Sequence, residues 1–426
     1  MDMKRRTFVK GAVAGLVVGG AVAQAAAAEG RTGRDTTPAA LRGPTLERAG
    51  ELFRAGDFDA ADALYRRVLM TDPNHVHALA QHAYLTLLAN RLPAAKRLLR
   101  RVLRLDPGHA RSLKNLGDAL WRSDEFAELA ALLPSIAQDA PTATPEQLRS
   151  FAGRTPYEIS GPATTRIPFA AEDPLPMIEA SLNGAPPALF FLDTGALFAL
   201  NQDYADRLGI PTYGYTTGRT VYGEHKAYQG RVDRLTMGDG LNIGQVPVHT
   251  IPDAIRLTAP DGRQTQGAIG TSVLARFLAT IDYPGRALVL RRDRRPLIRA
   301  EHSAPMWFLG DHFLISHGTV NHLDRMAFFV DTGGGDIGFT APRSTFTAAG
   351  IDVPPGDGPH PVTLDRVTLG TAARRRVPGL AGAFPGWFED GFGFRIGGLP
   401  THEFFKPYAL TFDFGRMRIL MDTPAG

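Results

Sequence analysis

The chain has 426 residues, enough for two or three domains, and its 44% hydrophobic and 21% charged residues exclude wholesale disorder and collagen-like structure. It contains no cysteine, which removes disulfides, a thiol nucleophile, iron–sulfur clusters and cysteine-ligated zinc. The net charge of +4 is small for this length and the arginines are spread along the chain, so no dedicated nucleic-acid surface is expected.

Residues 1–28 read as a signal peptide. Arg5 and Arg6 sit in a short basic region, an apolar run follows from Gly11 to Ala23, and small residues from Ala23 to Ala28 suit a signal peptidase. The string KRRTFVK resembles the twin-arginine export signal. The alternative is an uncleaved anchor, although the run falls short of the ~20 residues that a span needs. The expectation is a periplasmic or secreted bacterial protein with no stable membrane span after signal cleavage.

Residues 44–141 carry an internal period. Pro73, Pro107 and Pro141 are 34 residues apart, as are the small residues Ala49, Ala83 and Gly117. In the first repeat Gly56 to Ala61 reads as an interhelix turn and Tyr65 as the packing aromatic; the second keeps Ala95 behind Pro93, and the third has Leu129 in that place. The segment resembles three tetratricopeptide repeats, a stack of helix pairs that together bury a core of their own. Such a stack either binds a peptide or protein partner in its groove or acts as a spacer. Residues 142–165, rich in Pro, Thr, Ala and Gly, read as a linker.

Beyond residue 165, short apolar runs alternate with Gly, Pro, Asn and Asp, the pattern of strands and turns. One motif occurs twice at an offset of 138. Asn183-Gly184, the apolar run Ala188 to Leu192 and Asp193-Thr194-Gly195-Ala196 are matched by Asn321-His322, Met326 to Val330 and Asp331-Thr332-Gly333-Gly334. Further on, Gly267 to Gly270 falls opposite Gly398 to Thr401, and Asp282 opposite Asp413, at an offset of 131. One Asp-Thr-Gly is weak evidence; two within matching surroundings are strong.

In these features residues 165–426 resemble the aspartic proteases, specifically the bacterial retropepsin-like branch, with both catalytic halves in one chain. The fold class implied for the whole chain is multidomain: an α-helical repeat solenoid followed by a bilobal, mainly β, acid-protease-like domain. The first lobe is expected over 166–292, an inter-lobe linker over 293–304 and the second lobe over 305–426. The resemblance implies Asp193 and Asp331 as the catalytic dyad that activates a water, supported by Thr194, Gly195, Thr332 and Gly333. Thr220 to His225 looks like a flap tip, with Tyr222 covering the cleft beside Gly223, or else an ordinary hairpin. Phe384 to Phe388 lines a subsite or packs in the core. The second lobe departs from the pattern twice, with Thr401 in place of a glycine and an extra glycine at 334. The alternative reading is therefore a non-catalytic peptide-binding protein with a degenerate protease cleft.

No HExxH pair, phosphate-binding loop or Gly-x-Ser-x-Gly elbow occurs, so neither a metal nor a cofactor is expected. The expected partners are a peptide or protein substrate and a protein partner at the repeats.

Overall fold

The computed structural model describes residues 42–136, 143–220, 223–252, 256–293, 300–356, 359–382, 384 and 391–423. The signal segment 1–28, Tyr222 and residues 385–388 lie outside them.

Six helices form three consecutive pairs: α1 (Arg42–Arg54), α2 (Phe58–Thr71), α3 (Val76–Leu88), α4 (Leu92–Leu105), α5 (Ala110–Arg122) and α6 (Phe126–Leu132). The 34-residue period governs their turns as well as their faces. Within each pair the chain passes through one left-handed residue, Gly56 (φ 81°), Asn90 (φ 54°) and Asp124 (φ 61°), each 34 residues from the next. Gly, Asn and Asp are the residue types that adopt this conformation at least cost. Between pairs, His75 and His109 cap the following helix, their Nδ1 atoms accepting the amides of Ala78 and Ser112 at 3.3 and 3.2 Å. At the small-residue positions Ala49 and Ala83 are fully buried, and a Cβ on Gly117 would come within 2.8 Å of Ile136.

The rest of the chain is β-rich. An eight-stranded sheet built from residues 158–270 runs in the order Glu158–Ser160, Leu241–Ile251, Ala199–Asn201, Gly267–Gly270, Ala188–Asp193, Met177–Leu182, Gly223–Met237, Thr212–Thr220. Residues 307–400 supply a seven-stranded sheet that contains Phe313–Val320, Met326–Phe329 and Leu399–Pro400. A six-stranded sheet joins the two halves. At its centre Leu278–Asp282 pairs antiparallel with Ala409–Asp413, placing Thr280 directly opposite Thr411, with the hydroxyls 2.7 Å apart. These two threonines are counterparts at the 131-residue offset, so each half meets its own duplicate there.

The segment 142–165, read from the sequence as a linker, instead contributes structure to the first half. Helix Pro145–Arg149 packs on it, with Gln147 donating to the carbonyl of Gly230 at 2.9 Å, and Glu158–Ser160 is the edge strand of the eight-stranded sheet. Within the inter-lobe segment, residues 294–299 lie outside the described residues and His302–Pro305 joins the six-stranded sheet.

The repeats do not keep a core to themselves. One apolar cluster combines Phe53, Phe58, Tyr84, Leu87 and Trp121 with Trp307, Phe313, Phe329, Phe392 and Phe394 of the second half. Phe58 meets the rings of Trp307 and Phe394 at 5.1 and 4.9 Å. The left-handed turns are docking points too. Gly56 O accepts from Nε2 of His317 at 2.8 Å, and Asn90 Nδ2 donates to Phe414 O at 3.3 Å. Asp124 takes a bidentate bond from Arg276 at 2.5 and 2.9 Å, and that guanidinium lies 3.6 Å over the ring of Tyr157. The first two contacts reach the second half and the third reaches the first half. Among the described residues no helix is long and apolar enough to cross a membrane.

Candidate active site

Each Asp-Thr-Gly turn ends a buried apolar strand. Leu189 to Leu192 and Ala327 to Val330 are at most 2% exposed, so the following aspartates are delivered inside the protein. Asp193 and Asp331 are 0% and 1% exposed. One oxygen of each carboxyl is held by its own turn: Oδ1 of Asp193 accepts from Gly195 N at 2.7 Å, and Oδ1 of Asp331 from Gly333 N at 2.8 Å.

The two turns interlock through their threonines. Thr194 N donates to Thr332 Oγ1 and Thr332 N to Thr194 Oγ1, both at 3.0 Å. The Thr194 hydroxyl also donates to the carbonyl of Val330 at 3.0 Å. The reciprocal bonds relate the turns by a local two-fold axis and bring the carboxyls together. Asp193 and Asp331 are within hydrogen-bonding reach of one another. Oδ2 of Asp193 is buried with no donor facing it. Two carboxylates offer only acceptors, so a bond between them requires that one carry a proton.

Burial and the neighbouring Asp331 push the Asp193 carboxyl well above the usual range. Burial also raises Asp331, to about 6, where the Gly333 amide, the bond from Asp193 and the charge of His312 restrain it. The arrangement therefore favours a single proton shared by the pair.

Gly333 lies against its neighbour's acid. A Cβ there would stand 2.4 Å from Cγ of Asp193, closer than any real contact. Gly333→Ala is expected to displace that carboxyl and to lower kcat by roughly 100-fold, as an ångström of misplacement does. Peptide cleavage measured beside circular dichroism checks this; an alanine variant at wild-type rate would mean that the carboxyl position is immaterial.

The second half's two departures from the pattern compensate one another. In the first half Ala196 lies over Gly270, where a Cβ would clash with the Ala196 carbonyl oxygen at 2.0 Å. In the second half the counterparts are Gly334 and Thr401, and a Cβ on Gly334 would meet the Thr401 side chain at 2.9 Å. The glycine at 334 thus leaves room for the Thr401 side chain. Thr401 N donates to Gly338 O at 3.0 Å and its hydroxyl bonds the Ile337 carbonyl, which ties down the segment beyond the second turn.

Tyr222, the expected flap residue, lies outside the described residues. Gly223 opens the strand Gly223–Met237, paired with Thr220 at the end of a long hairpin. Phe384 packs at the margin of the cluster shared by the repeats and the second half, on the core side of the two expectations for its loop. Sequence reading missed a buried pair, Asp311 and His312, joined at 2.6 Å between Oδ1 and Nδ1. Adjacent Asp and His residues form no recognised motif, and no spacing rule points to them. Among the described residues no group of three or more His, Asp or Glu side chains could hold a metal ion.

Residues 178–273 match the family model described as Aspartyl protease, and residues 52–116 match a Tetratricopeptide repeat model. The first match includes Asp193, Thr194 and Gly195; Asp331 lies beyond it. None of the curated proteins compared matches the chain. Among solved structures, a mutant O-GlcNAc transferase of Thermobaculum terrenum is 32% identical over 24% of this chain, with a TM-score of 0.23; the chain spans 20% of that protein. The chain thus carries an aspartyl protease domain preceded by tetratricopeptide repeats.

Proposed function

We propose that the protein is an exported aspartic endopeptidase that hydrolyses peptide bonds with a water activated between Asp193 and Asp331. The observation that carries this reading is the reciprocal bonding of Thr194 and Thr332, which sets two Asp-Gly turns face to face with their carboxyls in contact. The ionised partner of the pair takes a proton from the water as its oxygen adds to the scissile carbonyl carbon. The protonated partner donates to the carbonyl oxygen. When the tetrahedral intermediate collapses, the C–N bond breaks and a proton passes to the leaving amine, which returns the dyad to its shared-proton state. Neither a covalent intermediate nor a cofactor is required.

The exchange of Ala196 and Gly270 for Gly334 and Thr401 weakens the alternative of a degenerate, merely peptide-binding cleft, because the second half accommodates its own departures. For the repeats we propose a protein partner on the outer helices α2 and α4. Met70 and Leu105 are exposed there by 77% and 41%, whereas Phe58 at the start of α2 and the apolar residues of α1, α3 and α5 are engaged with the second half.

The deciding experiment is cleavage of a peptide library by the full mature chain, with and without a statine-type mimic of the tetrahedral intermediate. Cleavage that the mimic abolishes is expected. Peptide binding with no hydrolysis at any pH would overturn the enzymatic reading in favour of the binding one. Export rests on residues 1–28, and finding the chain in the cytoplasmic fraction of its own cells would count against it.

A further inference from the structure

The first catalytic turn leans on a four-residue helix, Thr271–Leu274. That helix continues the strand Gly267–Gly270, which runs parallel to the strand of the first aspartate and sets Gly270 level with Asp193. Because Gly270 has no Cβ, the Ala196 carbonyl can close on the helix, where it accepts from Thr271 N at 2.9 Å. Thr271 Oγ1 donates to Thr194 O at 2.9 Å, and Ser272 Oγ accepts from Phe198 N at 2.8 Å. The backbone of residues 194–198 is thus held by Thr271 and Ser272, and every residue that makes these bonds is buried. The helix is held in turn by the third pair of repeat helices. Arg276, just beyond it, donates through Nε to Ser272 O at 3.3 Å, and its two Nη atoms grip Asp124 at 2.5 and 2.9 Å. The Tyr157 ring, 3.6 Å away, covers the face of the guanidinium. The second half has no such attachment. At the 131-residue offset the counterparts of Thr271, Ser272 and Arg276 are His402, Glu403 and Pro407, and a proline side chain donates nothing.

We propose that Asp124 and Arg276 are positioning residues for the first Asp-Thr-Gly turn. Asp124 of the repeat fixes Arg276, Arg276 fixes the helix Thr271–Leu274, and the helix sets the backbone that presents the Asp193 carboxyl. This role, which rests on the aspartic endopeptidase reading and deepens it, differs from fastening one half to the other, because the bonds run on to the catalytic turn itself. A bidentate Arg–carboxylate pair fixes orientation as well as distance. The Arg276 and Asp124 side chains are only 19% and 26% exposed, so water and salt screen the pair little. The turn has no slack to absorb a shift. Gly195 N donates to Asp193 Oδ1 at 2.7 Å, and Thr194 bonds the opposite turn through both its amide and its hydroxyl at 3.0 Å. A tilt of residues 194–198 therefore moves the carboxyl, its amide donor and the interlocking threonine together. An ångström of such movement costs about 10²-fold in rate.

The test measures kcat, KM and melting temperature for the full chain and for Asp124→Asn, Arg276→Lys, Ser272→Ala and the Asp124→Asn/Ser272→Ala double variant. One peptide substrate is used, and active sites are counted by titration with a statine-type mimic. Asparagine occupies the equivalent left-handed turn at position 90, so Asp124→Asn keeps the backbone and removes the charge. Arg276→Lys keeps the charge and loses the fork. Each single variant is expected to lower kcat roughly tenfold, part of what an ångström of misplacement costs, with KM within about twofold of wild type. The double variant should lose little more than its worse single, because both substitutions cut one path. A purely structural clamp would lower the melting temperature and leave kcat at the wild-type value at temperatures well below the melt. That result, a loss confined to KM, or a double variant whose losses multiply would overturn the positioning role. If neither Asp124→Asn nor Arg276→Lys folds, Ser272→Ala, which takes away only the acceptor of the Phe198 amide, decides by the same comparison of kcat. Failure of the parent reading is separate: it shows as Asp193→Asn cleaving at the wild-type rate or as a wild-type chain that cleaves nothing, and the positioning role falls with it.

Discussion

Asp193→Asn and Asp331→Asn are each expected to lower kcat on a peptide substrate by roughly 10²–10⁴-fold and to leave the chain folded. The loss follows from the shared proton. An amide in either place can bond to its partner but can neither take a proton from water nor give one to the leaving amine. The same variants have the opposite effect on stability. Both carboxyls are raised above their unfolded values, Asp331 to about 6. A raised carboxyl contributes stability fully present below its unfolded pKa, ~3.9, and lost as pH rises through the folded value. At about pH 8 the buried pair therefore opposes the fold, and each asparagine variant should melt above the wild type there but level with it near pH 4. Thermal melts at the two pH values, run beside the cleavage assay, check both effects. Near wild-type cleavage by either variant would remove that aspartate from the dyad, and melts that fall at alkaline pH would mean that the carboxyls are not raised.

Much of this site was legible in the sequence because its chemistry is local. A strand that ends in Asp-Thr-Gly positions the carboxyl and its amide donor within two residues of each other, so repeating the triplet at an offset of 138 repeats the geometry. The 131-residue offset between Asp282 and Asp413 likewise anticipated the duplicated strands that pair at Thr280 and Thr411. What stayed hidden depends on residues far apart in the chain. Thr401 and Gly334 each read as a defect when taken alone, and only their contact shows one change offsetting the other. His312 gave no signal because its partner is simply the preceding residue. The turn residues Gly56, Asn90 and Asp124 stood at the repeat period in plain view. That all three are docking points could not be read from the repeat alone, because His317, Phe414 and Arg276 belong to the other part of the chain.

Deleting residues 42–141 is expected to unfold the rest of the chain and to abolish cleavage of short peptides and proteins alike. A repeat module with a core of its own could be removed cleanly, but here the core is divided. Without the helices, Trp307, Phe313, Phe329, Phe392 and Phe394 lose the residues that cover them. Each is worth about 1.5–3 kcal/mol of burial, so the five together cost on the order of 10 kcal/mol, as large as the whole stability of a typical domain at ~5–15 kcal/mol. The outcome is read from kcat/KM on both substrate types and from a melt of the truncated chain. A truncated chain that folds and cleaves short peptides at the wild-type rate would show the repeats to be a detachable recruiting module. The expected loss on both substrates has a geometric as well as an energetic basis. Gly56 and Asn90 rest on the second half and Asp124 on the first, so one solenoid spans both halves through three equivalent turns. The contact between Asp193 and Asp331 depends on the placement of one half against the other, and a rigid stack fastened to both restrains that placement. On this reading the expected role of the repeats is to hold together the two halves that carry the acids.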